Sequence, residues 1–180
     1  MKSKDPIKQM ITLKTESLNW LDTTDDCPTD LCAHGTVQFT IDDLEIVVPT
    51  DEWTVSAATI YLLRSLERDH PFDNIAGGPL FPCCGFSMYD TDDSEDVLIV
   101  GCPNGIDASV LHDNGAVKIT DQTGRSKLIS KSDWTNAVLN FSAEVRRFYD
   151  SSAKKTPSDE VARKGYDKMV AEWERRHPRK

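Results

Sequence analysis

Two short stretches of alternating apolar and polar residues constrain the fold of this chain most narrowly. In residues 37–41 every second residue is apolar, and residues 44–48 repeat the pattern. Alternation with a period of two places the apolar side chains on one face of a strand. Asp42 and Asp43 lie between the stretches, as in a two-residue hairpin turn. We therefore predict an antiparallel hairpin, and a further strand within residues 11–18.

Downstream of the hairpin the sequence predicts one helix and a set of short strands. Apolar residues recur at helical spacing over residues 55–69, and Thr54 before them is a candidate N-cap. Residues 70–94 are rich in glycine, proline and aspartate and predict loops. Strand-length segments separated by turn residues then predict an antiparallel meander of about four strands, residues 97–100, 106–112, 116–120 and 126–130.

In the last part of the chain, apolar residues recur with the period of an α-helix. One apolar stripe begins at Ser132, and after the polar linker 151–155 a second one follows Thr156, a candidate N-cap. We predict the α+β class, in which an antiparallel sheet of the hairpin and the meander is packed by one central helix and two C-terminal helices. Residues 1–150 would form a single domain, and residues 151–180 a linker and an amphipathic helix docked on it.

Charge is segregated along the sequence. Residues 16–113 hold twenty acidic residues and two basic ones, whereas residues 114–180 hold fifteen basic residues and nine acidic ones. The whole chain has a net charge of −9, which repels phosphates and argues against direct nucleic-acid binding.

No apolar run approaches the roughly 20 residues of a membrane span. Because the start of the chain has no apolar block of the signal-peptide type, we expect a cytoplasmic protein without membrane contact.

The five cysteines are odd in number and two of them are adjacent, which does not suit a secreted disulfide framework. Since thiols and imidazoles are zinc ligands, one interpretation is a zinc-binding site or a thiol-dependent enzyme. Its candidate ligands share soft donor atoms and turn-rich surroundings: Cys27, Cys32, His34, Cys83, Cys84 and Cys102. Their spacing is not that of a zinc knuckle, and adjacent cysteines rarely reach one ion together. The other interpretation makes them small buried apolar residues, with no cofactor.

Two further arrangements are weaker alternatives. Cys84 could act as a nucleophile with a histidine as its base, but negative surroundings disfavour a thiolate. The candidate bases are His34, His70 and His112. Asp107, with neighbouring acidic residues, could belong to a cation site, although a solvated acidic surface is the simpler interpretation.

An acidic surface of this density attracts basic macromolecules and steers their association. In size, acidity and expected location the chain resembles bacterial immunity proteins, which neutralise toxins; the resemblance is one of composition, without a shared residue motif. We therefore predict an acidic interaction protein, an inhibitor of a basic, nuclease-like toxin or of another basic partner, rather than an enzyme. The predicted partner-binding residues are acidic residues of two turns: Asp42, Asp43, Asp90, Asp92, Asp93, Glu95 and Asp96.

Two alternatives would change how this charge acts. The basic C-terminal helices could fold back onto the acidic body and neutralise much of its field. In a homo-oligomer, the basic end of one subunit could instead meet the acidic body of another subunit.

Overall fold

The computed structural model describes residues 9–21, 26–72, 78–85 and 87–177. Its strands are β1 (Ile11–Thr15), β2 (Gly35–Ile41), β3 (Leu44–Val47), β4 (Glu52–Trp53), β5 (Phe81–Pro82), β6 (Ser87–Tyr89), β7 (Leu98–Val100), β8 (Gly105–Ile106), β9 (Ala108–Asp113), β10 (Ala116–Asp121) and β11 (Ser126–Ser130). Its helices are α1 (Val55–Arg64), α2 (Lys131–Ser151) and α3 (Glu160–Arg176).

The predicted α+β class is confirmed, because helices pack on antiparallel strands in hairpin and meander order. None of the described helices combines the length and the apolar character that a membrane span requires.

The predicted N-terminal hairpin forms the centre of the first sheet. β2 pairs with β1 on one side and with β3 on the other, and β4 pairs with the start of β2. The apolar residues of β2, Val37, Phe39 and Ile41, are fully buried, because alternation turns all three toward the core. Asp42 has a φ of 52° in the turn, a left-handed conformation that aspartate tolerates. The hairpin and the strand before it are both confirmed.

The second sheet is a three-stranded meander, β9–β10–β11, rather than one of about four strands. Asn114 and Gly115 both have positive φ in its first turn, as an Asn-Gly pair predicts. The segment predicted as the first strand of the meander pairs elsewhere, because β7 joins β6 in a separate hairpin. A continuous apolar run does not specify a pairing partner, so the sequence could not distinguish the two arrangements.

The central helix α1 is buried along its whole length. All ten of its residues are buried, because α2, α3 and β5 pack around it. The helix ends at Arg64, short of the predicted residue 69. The Thr54 side chain does not cap it; the hydroxyl instead lies 3.3 Å from His34 Nε2 and donates to the Cys83 carbonyl.

Side chains cap both C-terminal helices. The Ser130 hydroxyl accepts the N–H of Asp133 at the start of α2, and the Asp159 carboxylate caps α3. The predicted cap of α3 was Thr156, but the N–H of that residue donates to the Pro28 carbonyl, so the helix starts later. α2 packs on β1 and α1, and α3 packs on β6 and α1.

A buried ion-pair network joins α1 to α3. The Glu172 carboxylate is fully buried and accepts two hydrogen bonds of 2.7 Å from the Arg64 guanidinium. It also accepts from Arg176 at 2.9 Å and from the N–H of Val97 at 2.8 Å. Arg64 in turn donates to the Val97 carbonyl at 2.7 Å. Charged groups from two helices therefore fix the backbone at the start of β7.

The substitution Glu172→Gln should destabilise the fold by about 3 kcal/mol, because it leaves the buried Arg64 charge without its closest partner. The matched control is Asp167→Asn, which removes an exposed carboxylate paired with Arg163 on the same helix and should cost less than about 1 kcal/mol. Urea unfolding of both variants measures the difference. Equal unfolding midpoints would show that the network stabilises no more than a surface ion pair does.

Candidate functional site

β6 and β7 form a two-stranded hairpin whose connection contains the acidic loop, residues 90–96. The middle residue of each strand is buried against the core. On the opposite side Tyr89, Leu98 and Val100 keep 41%, 41% and 48% of their surface exposed. Tyr89 lies directly across from Leu98 in the register, so the three side chains form one apolar strip. We call this strip the hairpin face.

Most carboxylates of the acidic loop are paired within the chain. Asp90 lies 2.9 Å from the Lys168 ammonium, and Glu95 lies 3.7 Å from the Arg175 guanidinium. Asp96 pairs with the guanidinium groups of Arg64, Arg68, Arg175 and Arg176. Burial opposes ionisation of Asp96, but Arg175, Arg176 and Arg64 outweigh it and hold the pKa of the carboxyl well below its usual range. α3 therefore neutralises much of the loop.

The remaining predicted partner-binding residues divide between two places. Asp92 and Asp93, in the middle of the acidic loop, are exposed and form no ion pair with any residue that the structure describes. Asp42 and Asp43 lie in the β2–β3 turn of a different sheet, where Asp42 accepts the N–H of Met10 and Asp43 pairs with a lysine of β11. Within the described part of the loop, unpaired charge is therefore confined to Asp92 and Asp93.

Three of the predicted zinc ligands come together at the end of the hairpin opposite the acidic loop. Cys83 and Cys84 follow β5 in a bend, and Cys102 follows β7. Their sulfur atoms all lie within 4.8 Å of one another, and Cys83 Sγ is 2.6 Å from Cys102 Sγ. All three residues are half-buried, so solvent reaches the site. We call these three residues the thiol cluster.

Backbone contacts hold the two segments of the thiol cluster together. The N–H of Cys102 donates to Cys84 Sγ at 2.8 Å, and the N–H of Cys83 donates to the Asn104 carbonyl at 3.1 Å. The close approach of the segments requires glycine at position 101, because a Cβ on Gly101 would lie 2.1 Å from the Cys84 carbonyl oxygen. Main-chain geometry therefore sets the positions of the sulfur atoms.

A hydrogen bond links Cys83 and Cys102 and shifts their two pKa values in opposite directions. The hydrogen bond from Cys83 lowers the pKa of the Cys102 thiol to about 7. The same hydrogen bond raises the pKa of Cys83 to about 11. Near neutral pH, Cys102 is therefore partly a thiolate that accepts the S–H of Cys83. The thiolate is the form of cysteine that attacks electrophiles and binds metals.

The other predicted ligands lie elsewhere. Cys27 Sγ is 3.1 Å from Thr29 Oγ1, and burial raises the pKa of the Cys32 thiol to about 12. His34 is buried, with Nε2 directed to a threonine hydroxyl. Of the six predicted ligands, the structure therefore brings three together and leaves the other three outside that group. The thiol cluster is the only group of three or more metal-ligating side chains among the described residues.

The residues that the structure describes do not form the predicted catalytic and cation arrangements. No hydrogen bond joins Cys84 to His34, His70 or His112. His70 Nε2 lies 3.1 Å from Asp107 Oδ1, and the same oxygen accepts two backbone N–H groups. Asp107 therefore orders the local backbone together with His70.

No family model, curated protein or solved structure matches this chain. Function must therefore be inferred from the hairpin face, the acidic loop and the thiol cluster.

The hairpin face is the feature that the sequence did not predict. Residues 97–100 form a continuous apolar run, which is typical of a strand buried on both sides. The structure buries one side and exposes the other. The acidic loop just before the strand was the signal that could have placed it at the surface, because a short strand cannot lie far from a solvated loop.

We expect Cys102 to react with iodoacetamide faster than the other cysteines at neutral pH, with a rate that rises through a midpoint near pH 7. The variant Cys83→Ala removes the S–H donor and should move this midpoint up toward about 8.5, the ordinary thiol pKa. Mass spectrometry of alkylated peptides at a series of pH values gives the rates. The same midpoint in both proteins would show that Cys83 does not lower the pKa of Cys102.

Proposed function

We propose that this protein binds a basic protein partner through the hairpin face, with Asp92 and Asp93 beside it. The observation that supports the proposal is an exposed apolar strip on two strands whose connecting loop carries two carboxylates without ion-pair partners among the described residues. Single exposed apolar residues are ordinary, whereas a contiguous apolar patch is a candidate interaction surface. An open apolar strand pair is also prone to aggregate, so a partner that covers it would keep the protein soluble.

The apolar strip and the two aspartates would act at different stages of binding. Covering the hairpin face removes apolar surface from water, at about 25 cal/mol per Å², and slows dissociation. Asp92 and Asp93 attract a cationic surface from a distance and raise the association rate by roughly tenfold or more at low salt. Because α3 pairs with much of the acidic loop, recognition depends less on charge than the sequence predicts and more on apolar contact.

The partner class that fits these properties is a basic toxin of bacterial origin that acts on nucleic acid and is met in the cytoplasm. Proteins that cleave nucleic acids carry cationic surfaces, because their substrates are phosphates. This chain carries a net charge of −9 and would cover such a surface without binding nucleic acid itself. In this role it is an immunity protein, which inhibits by binding and catalyses no reaction.

The double substitution Leu98→Ser/Val100→Ser should weaken the complex by about 10- to 100-fold, mainly through faster dissociation, because apolar burial is lost. The partner tested is the basic protein that the immobilised chain retains most strongly from an extract of the source cells. It is purified and measured as a binary complex by surface plasmon resonance. The matched control is Leu128→Ser, which removes a 52% exposed leucine from β11 and should leave the affinity unchanged.

The double substitution Asp92→Asn/Asp93→Asn should slow association and flatten its dependence on salt, with little effect on dissociation. Two results would contradict the proposal. One is that no basic protein is retained even at low ionic strength. The other is that the Leu98→Ser/Val100→Ser variant binds the purified partner as tightly as the unchanged protein does.

A further inference from the structure

We infer that the thiol cluster binds one zinc ion, with Cys83, Cys84 and Cys102 as thiolate ligands and a solvent molecule in the fourth position. Zinc prefers thiolate and imidazole ligands in tetrahedral geometry. The inference is independent of the partner proposed above, since it uses the end of the hairpin opposite the acidic loop. It reduces the six candidate ligands of the sequence to three.

The distances in the thiol cluster are close to those of a zinc site. Two thiolates on a tetrahedral zinc, each about 2.3 Å from the metal, lie about 3.8 Å apart. The three sulfur atoms here are within 4.8 Å of one another, so small side-chain rotations suffice. The closest pair, Cys83 and Cys102 at 2.6 Å, would separate by roughly 1 Å when the metal replaces the proton between them.

Adjacent cysteines can reach one ion here because they do not lie in a strand. Successive side chains of a strand point to opposite faces, which is why adjacent cysteines seldom share a ligand. β5 ends at Pro82, and Cys83 and Cys84 occupy the bend that follows it. The bend brings both sulfur atoms to Cys102, which follows the end of β7. The unfavourable spacing in the sequence is therefore overcome by the fold.

The surroundings of the sulfur atoms favour a bound cation. The N–H of Cys102 donates to Cys84 Sγ, and peptide N–H groups that donate to sulfur stabilise metal-bound thiolates. The net charge of −9, which disfavours a free thiolate, attracts a divalent cation. Three protein ligands instead of four leave one coordination position open to solvent or to a small thiol.

A disulfide between Cys83 and Cys102 is the competing chemistry of the same atoms. A peroxide would take the two thiol hydrogens, forming the S–S bond and two molecules of water from hydrogen peroxide, and Cys84 would remain a thiol. The disulfide would remove two of the three ligands. Oxidation and zinc binding therefore exclude each other, and one experiment can separate them.

The experiment titrates the reduced, full-length protein with Co²⁺ and Zn²⁺. We expect one equivalent of each, with thiolate-to-cobalt charge-transfer absorption and the intense visible bands of tetrahedral cobalt. Competition against a chromophoric chelator should show that Cys84→Ser and Cys102→Ser each weaken zinc binding by at least about tenfold. The matched control is Cys27→Ser, which removes a cysteine outside the cluster and should leave zinc binding unchanged.

A second measurement keeps the test valid if a cluster variant fails to fold. Zinc should protect the three cluster cysteines of the unchanged protein from alkylation, while Cys27 stays reactive. Clearly substoichiometric zinc, equal protection of all cysteines, or equal zinc affinity of a folded Cys84→Ser variant would overturn the inference. A disulfide between Cys83 and Cys102 that persists in the presence of a thiol reductant would also overturn it.

Discussion

The buried carboxylate of Glu172 holds together the parts of the molecule on which the surface features depend. It lies between the guanidinium groups of Arg64 and Arg176 and accepts the N–H of Val97. Removing a carboxylate from water costs several kcal/mol unless its charge and its lone pairs are matched. Here the matching groups come from α1, from α3 and from the segment that leads into β7. The position of β7 follows, and with it the positions of the hairpin face and the thiol cluster.

The same network determines how the acidic and basic segments of the sequence interact. The basic residues of α3 pair with the acidic loop, so this helix folds back onto the acidic body, as one of the sequence-based alternatives predicted. The neutralisation is partial, because Asp92 and Asp93 form no ion pair within the described residues. Both residues belong to the loop that joins the two strands of the hairpin face. A partner would therefore need both a cationic region and an apolar one, which is a narrower requirement than basicity alone.

The elements that the sequence predicted correctly are those determined by residues close together in the chain. The Asn114–Gly115 turn and the two amphipathic C-terminal helices follow from turn chemistry and from apolar period. The differences arise where the sequence does not specify a contact partner: β7 pairs with β6 rather than with the meander, and the N–H of Thr156 donates to the distant Pro28 carbonyl while Asp159 caps α3. The thiol cluster was predictable in part only. Its residue types were predictable, but the convergence of its two segments depends on the close approach at Gly101, which no local pattern encodes.

Arg64 and Glu172 are 108 positions apart in the sequence, and this separation bears on the order of folding. Contacts between distant residues form slowly, because the intervening chain must first lose conformational entropy. Until α3 docks, the more distant Asp96 carboxylate, 3.7 Å away, would be the ion-pair partner left to Arg64, and the N–H of Val97 would lack its carboxylate acceptor. We therefore expect the docking of α3 to fix the start of β7, and with it the strand that carries Leu98 and Val100.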